Sequence, residues 1–99
     1  MKKKFAFLVM GAHYTPEKHH AEFETEKQIT YIVSVKNSEE AYAKVMELKE
    51  AGVGAIELCG AFGPEMAKKI IDMTDGKIAV GYVTHFSEQD GLFAQFFAK

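Results

Sequence analysis

The chain has 99 residues, 47% of them hydrophobic and 26% charged, with a formal net charge of -2. This is the size of one domain with its own core, near the small end for a sheet covered on both faces, so burial shared with a partner subunit would help it. The balance excludes general nucleic-acid binding, since the only basic cluster is at residues 2–4, and no run approaches the ~20 apolar residues that cross a bilayer.

Residues 5–10 form a continuous apolar run ended by Gly11, the pattern of a strand covered on both faces. The lysines before it superficially resemble the start of a signal peptide, but the run is at the short limit for one and is better explained as a first strand. Thr15 followed by Pro16 fits an N-cap and N1 pair with Glu17 in the first turn, which predicts a short helix over residues 16–23. Its apolar face is thin, chiefly Ala21 and Phe23, and residues 24–28 read as a polar connection.

Residues 29–35 are β-branched and aromatic, a second strand with Thr30, Ile32 and Ser34 on one face and Ile29, Tyr31, Val33 and Val35 on the other. Asn37 and Glu40 have the spacing of a capping box, and Ala41, Val45 and Leu48 fall on one stripe of the helix that follows, which Gly52 closes. Residues 55–63, AIELCGAFG, organise the chain: a short buried strand runs into a glycine-rich bend, Gly63 and Pro64 suit an N-cap and N1 pair, and Met66, Ala67, Ile70 and Ile71 recur at helical spacing. Ile56 and Leu58 share one face of this strand, and Ala55, Glu57 and Cys59 share the other. Asp75 and Gly76 end the helix, and residues 78–84 form a fourth strand. Ser87, three residues before Asp90, then starts a last helix carrying Leu92, Phe93, Phe96 and Phe97, which pack either on their own sheet or on a neighbouring subunit.

Strand and helix thus alternate four times, which predicts a single α/β domain over residues 1–99 with a four-stranded parallel sheet in (βα)4 order. Sequential strand order would make it half of a (βα)8 barrel, and order 2-1-3-4 would make it flavodoxin-like. Thr30 and Ser34, Glu57 and Cys59, and Ala79, Gly81 and His85 each occupy one strand face. If these faces coincide, that side is too small and polar for an ordinary helix-covered surface and suits a barrel-like interior or a subunit interface better.

In a parallel sheet the strand ends meet along one edge, where ligands bind. That gathers His13, Tyr14, Lys36, Cys59 and His85 near one rim with Glu57 slightly deeper, a set able to do acid–base chemistry. Glu57, His85 and Cys59 are the catalytic candidates; His13 and the bend residues Gly60, Ala61, Phe62 and Gly63 are the ligand-binding ones, the amides of the first helical turn being suited to an anion. Each has a plainer reading: Glu57 as a solvated or ion-paired carboxylate, Cys59 as a small buried hydrophobe, and residues 60–63 as a tight turn. No metal-ligand motif occurs, and no cofactor is indicated. The lone Cys59 cannot form an internal disulfide and fits a cytoplasmic location.

The run from Gly52 to Pro64, GVGAIELCGAFGP, with the apolar first strand, the PEKH loop at residues 16–19 and Ala79-Val80-Gly81, resembles a family of small bacterial and archaeal domains of unknown function. Beyond Val83 the chain departs from that pattern. Residues 52–63 also look, more loosely, like the strand and loop of phosphate-binding (βα)8 enzymes such as the keto-deoxy-phosphogluconate aldolase group, although this chain has no lysine within its strands for Schiff-base chemistry. The expectation is a homo-oligomer that binds a small, anionic metabolite at the carboxy ends of the strands. The alternative is a non-catalytic module that assembles through the sheet face and the terminal phenylalanines.

Overall fold

The computed structural model of the chain describes residues 1–98. Its strands are β1 Lys3–Met10, β2 His20–Glu24, β3 Gln28–Val35, β4 Ala55–Leu58 and β5 Ala79–Tyr82, in one sheet of order β2-β3-β1-β4-β5. β3, β1, β4 and β5 are mutually parallel, and β2 runs antiparallel along β3. Helix α1 (Ser38–Glu50) joins β3 to β4, α2 (Gly63–Met73) joins β4 to β5, and a 3-10 turn at Ser87–Gln89 leads into α3 (Asp90–Phe97). The chain is α/β as expected, and its four parallel strands take the 2-1-3-4 order rather than the sequential order of a half-barrel.

The fifth strand corrects the sequence reading, which placed a helix at residues 16–23. One helical turn does form, with the amides of Lys18 and His19 donating to the Thr15 carbonyl at 2.9 and 2.8 Å, so the capping signal acts for a single turn. Beyond it Ala21 and Phe23 recur at a spacing of two, which puts them on a common face only in extended chain. There they lie opposite Ile32 and Thr30 of β3. Thr25 closes the hairpin: its Oγ1 accepts from the amides of Lys27 and Gln28 at 3.2 and 3.1 Å, and its own amide donates to the Gln28 carbonyl at 2.8 Å.

Helix α1 is bounded by the residues that the sequence singles out. The Glu40 amide donates to Asn37 Oδ1 at 2.9 Å, while the Glu40 carboxylate turns back to accept from the Lys36 amide at 2.7 Å. At the other end Gly52, at φ +89°, donates to the Lys49 carbonyl, and Val53 donates to that of Leu48 at 3.0 Å. This pair of bonds is a Schellman motif, and Val53 and Leu48 are both buried beside it. Helix α2 is counted from Gly63, one residue earlier than the sequence suggests, and Ser87 lies within the 3-10 turn rather than capping α3.

Both helices lie on the same side. The connections β3-α1-β4 and β4-α2-β5 cross the sheet in one direction, and right-handed crossovers then place their helices on one face. Ala6 and Leu8 of β1, Ile56 and Leu58 of β4, and Ala41, Val45, Leu48, Ala67 and Ile70 of the helices form the core there. The Lys69 ammonium sits 4.3 Å from the centre of the Tyr42 ring, tying α2 to α1. The first strand, expected to be covered on both faces, is covered on one: Phe5, Phe7 and Val9 point away from the helices and stay partly exposed. Removing the cap with Asn37→Ala should cost about 1 kcal/mol of unfolding free energy, and Leu8→Ala about 2–5 kcal/mol, both read from urea unfolding midpoints.

Candidate functional site

The parallel strands do bring their carboxy ends to one rim. The Gly11 amide donates to the Val35 carbonyl at 3.0 Å, that of Cys59 to Leu8 at 2.9 Å and that of Val83 to Leu58 at 2.9 Å, so the four strand ends are stitched side by side. The side chains along the rim do not converge. His13 folds against Tyr14, with ring centres 4.3 Å apart, and Lys36 Nζ donates to the Tyr14 carbonyl. Cys59 Sγ accepts from the Met10 amide at 3.4 Å. His85 turns the other way: its Nε2 is 2.7 Å from Asp90 Oδ1 and its ring stacks on Phe93 at 4.0 Å. Among the described residues no three of His, Cys, Asp and Glu come close enough to hold a metal ion.

Residues 60–63 make the bend expected of them, with the Phe62 amide donating to the Cys59 carbonyl at 3.1 Å and Gly63 at φ +73°. No side chain caps the start of α2. A groove of about 330 Å³ opens between β2 and α1, lined by His20, Glu22, Tyr31 and Lys44 among others, and none of the predicted site residues borders it.

Glu57 is placed on the uncovered face of the sheet. Strand register sets it between Phe7 of β1 and Gly81 of β5, with Thr30 and Ser34 two strands away on the same face. Gly81 is what admits it: a Cβ there would lie 2.2 Å from Glu57 Oε1, so the carboxylate lies across the bare backbone of β5. Ser34 is buried and donates to the His19 carbonyl at 2.7 Å, which pins the helical turn before β2 to the sheet. Phe5, Phe7, Val9 and Ile32 fill the middle of this face, and Phe23 on the edge strand is 58% exposed.

Helix α3 is uncovered too. None of its residues is buried, Leu92, Phe96 and Phe97 are 62%, 79% and 71% exposed, and Phe86 before it is 81% exposed. Its position rests on the His85 contacts with Asp90 and Phe93 and on the 3-10 turn. The projection shows in the overall dimensions of 43 × 28 × 25 Å and a radius of gyration of 14.0 Å, against about 13 Å for a compact chain of this length. Sequence reasoning located the helix and its phenylalanines but overlooked Phe5, Phe7 and Val9 as surface residues. The signal for them was the count of helices available to cover the sheet.

These features define a one-sided α/β domain, a parallel sheet with helices on one face, an apolar second face and a projecting C-terminal helix. The chain belongs to DUF6506, a family of unknown function whose family model matches residues 3–98. No curated protein and no solved structure matches it. Among the described residues no helix is long and apolar enough to cross a membrane.

The fit of Glu57 over Gly81 gives a test of the local geometry. Gly81→Ala in a Glu57→Ala background should raise stability by about 0.5–1 kcal/mol, because alanine restricts the unfolded strand more than glycine does. In the wild-type background the gain should shrink or reverse, since the carboxylate must then swing aside. Equal effects in the two backgrounds, measured by chemical denaturation, would show that Glu57 does not occupy this position.

Proposed function

We propose that the protein is a homo-oligomeric assembly module whose working surface is the uncovered face of its sheet. The observation that carries this reading is the pairing of an unprotected apolar sheet face with a parallel sheet, an architecture that ordinarily buries both faces. Phe5, Phe7, Val9 and Ile32 are only partly buried in the single chain, and a contiguous apolar patch left partly open to water marks an interaction surface. The face also carries no basic cluster that would direct it to nucleic acid, since its ionisable strand residues are Lys3 at one end and Glu57.

A second reading, retention of a small anionic metabolite at the rim, has the uncapped start of α2 near Gly60 and Gly63 in its favour. It lacks partners for that start: His13 and His85 are engaged with Tyr14 and with Asp90 and Phe93, and Glu57 would repel an anion. The assembly reading therefore has the greater support. Its setting in a reducing cytoplasm, where the free thiol of Cys59 would persist, is part of the same proposal.

Sedimentation or light scattering at tens of micromolar should find the purified chain as a dimer or higher oligomer. Phe7→Asp should weaken that association at least about tenfold while far-UV circular dichroism stays unchanged, because a charge placed in the middle of an apolar interface is left without a partner. A wild-type chain that stays monomeric at these concentrations would refute the assembly reading.

A further inference from the structure

The uncovered sheet face and the uncovered helix belong to the same chain, and each lacks what the other offers. We propose that α3 of one copy lies across the open sheet face of a second copy, with the second copy's α3 returned onto the first in a closed, two-fold exchange. This inference rests on the assembly reading and adds which segment fills the face.

Three observations carry it. The first is the pattern of the helix: Leu92, Phe93, Phe96 and Phe97 fall at spacings of one and four, so they form a single stripe about 140° wide along α3. None of the residues of the helix is buried against its own sheet. The second is area. With Phe86, Phe93, Phe96 and Phe97 exposed by 81%, 43%, 79% and 71% and Leu92 by 62%, burial of 150–250 Å² per aromatic side chain gives each arm about 600 Å² of apolar surface to cover. Two arms together with the sheet area beneath them exceed the roughly 1,200 Å² at which stable interfaces begin. An exchange therefore needs no further contact to be of ordinary interface size.

The third is fit. An eight-residue helix is about 12 Å long at 1.5 Å per residue, and strands lie about 4.8 Å apart, so α3 can cross β2, β3 and β1, which carry Phe23, Ile32 and Phe7, and leave Glu57 of β4 beyond its end. The lead-in is built for projection: Phe86 is extended at φ -65° and ψ 144°, and His85 fixes the angle of the helix by holding Asp90 at 2.7 Å and stacking on Phe93. A side-chain clamp thus holds α3 away from its own sheet. Reciprocal placement uses the same two patches on each copy, which closes the assembly at two and leaves no open end for a filament.

The experiment compares oligomeric state across five chains: wild type, a chain ending at Phe86, Phe93→Asp/Phe97→Asp, and Phe23→Asp and Phe7→Asp on the sheet face. Both arm variants should become monomeric, the double variant with an unchanged far-UV circular dichroism spectrum and the shortened chain with only the loss of helical signal that removing α3 entails, and Phe23→Asp should weaken association at least about tenfold. Mixing the arm double variant with a Phe7→Asp chain should give a heterodimer that neither forms alone, weaker than the wild-type dimer because only one intact arm meets one intact sheet. If the chain ending at Phe86 and the double variant both remain dimeric while Phe7→Asp is monomeric, the sheet face assembles without the arm, and the exchange is overturned while the assembly reading stands. A monomeric wild type overturns both. Should the shortened chain fail to fold, the double variant and the mixing experiment still decide the question.

Discussion

The handedness of two crossovers governs this structure. A parallel strand reached by a helical connection lies to the right of its predecessor when seen from the helix, so a chain that keeps stepping the same way across its sheet keeps its helices on one side. β3 to β4 and β4 to β5 are both such steps. The step from β1 to β3 goes the opposite way, and a helix there would have covered the opposite face. In this chain that connection holds β2, an antiparallel strand, and so the face opposite α1 and α2 has no helix on it.

The residue pattern of β1, unlike the alternating β3 and β4, suits a covered sheet all the same. A sheet with one wet face alternates apolar with polar side chains, whereas β1 continues Phe5, Ala6, Phe7, Leu8, Val9 without a polar residue. Ala6 and Leu8 account for the helix side, and their complete burial shows how that side is packed. Phe5, Phe7 and Val9 remain to be explained by something outside the fold of a single chain. The same holds for α3, whose aromatic residues exceed what an exposed helix needs for its own formation.

Much of this was legible in the sequence. The strands at residues 29–35 and 55–58, the cap at Asn37 and the Gly52 terminus follow from period-two alternation and from local hydrogen-bond chemistry, which act over a few residues and so can be read locally. The rim was legible only as backbone: strand ends meet there, but the direction of each side chain depends on neighbours distant in sequence, as His85 shows by turning to Asp90 and Phe93 rather than to His13. The one element misread, residues 16–23, carries conflicting signals. Thr15, Pro16 and Glu17 announce a helix, and Ala21 and Phe23 keep the period of a strand. β3 decides between them by offering a free edge of hydrogen-bonding groups, a tertiary effect that no local pattern encodes. That single element is also the one that leaves the sheet face bare, so the error in secondary structure and the source of the interaction surface are the same event.

Glu57 sets a condition on any occupant of that face. It stands between Phe7 and Gly81, where a carboxylate stripped of water and given no donor would cost several kcal/mol. A smooth apolar partner laid over the whole face would pay that cost, and a narrow one need not: a helix about 10–12 Å across covers two or three strands and leaves water beside its flanks. The small residues next to Glu57, Ala55, Ala79 and Gly81, widen the face at this point, which gives the carboxylate room to lie along β5 and keep its hydration while the aromatic centre of the sheet is covered. A ridge-like occupant is therefore favoured over a flat one, and the charge at position 57 acts against face-to-face stacking of two sheets, which would bring two such carboxylates into the same dry layer.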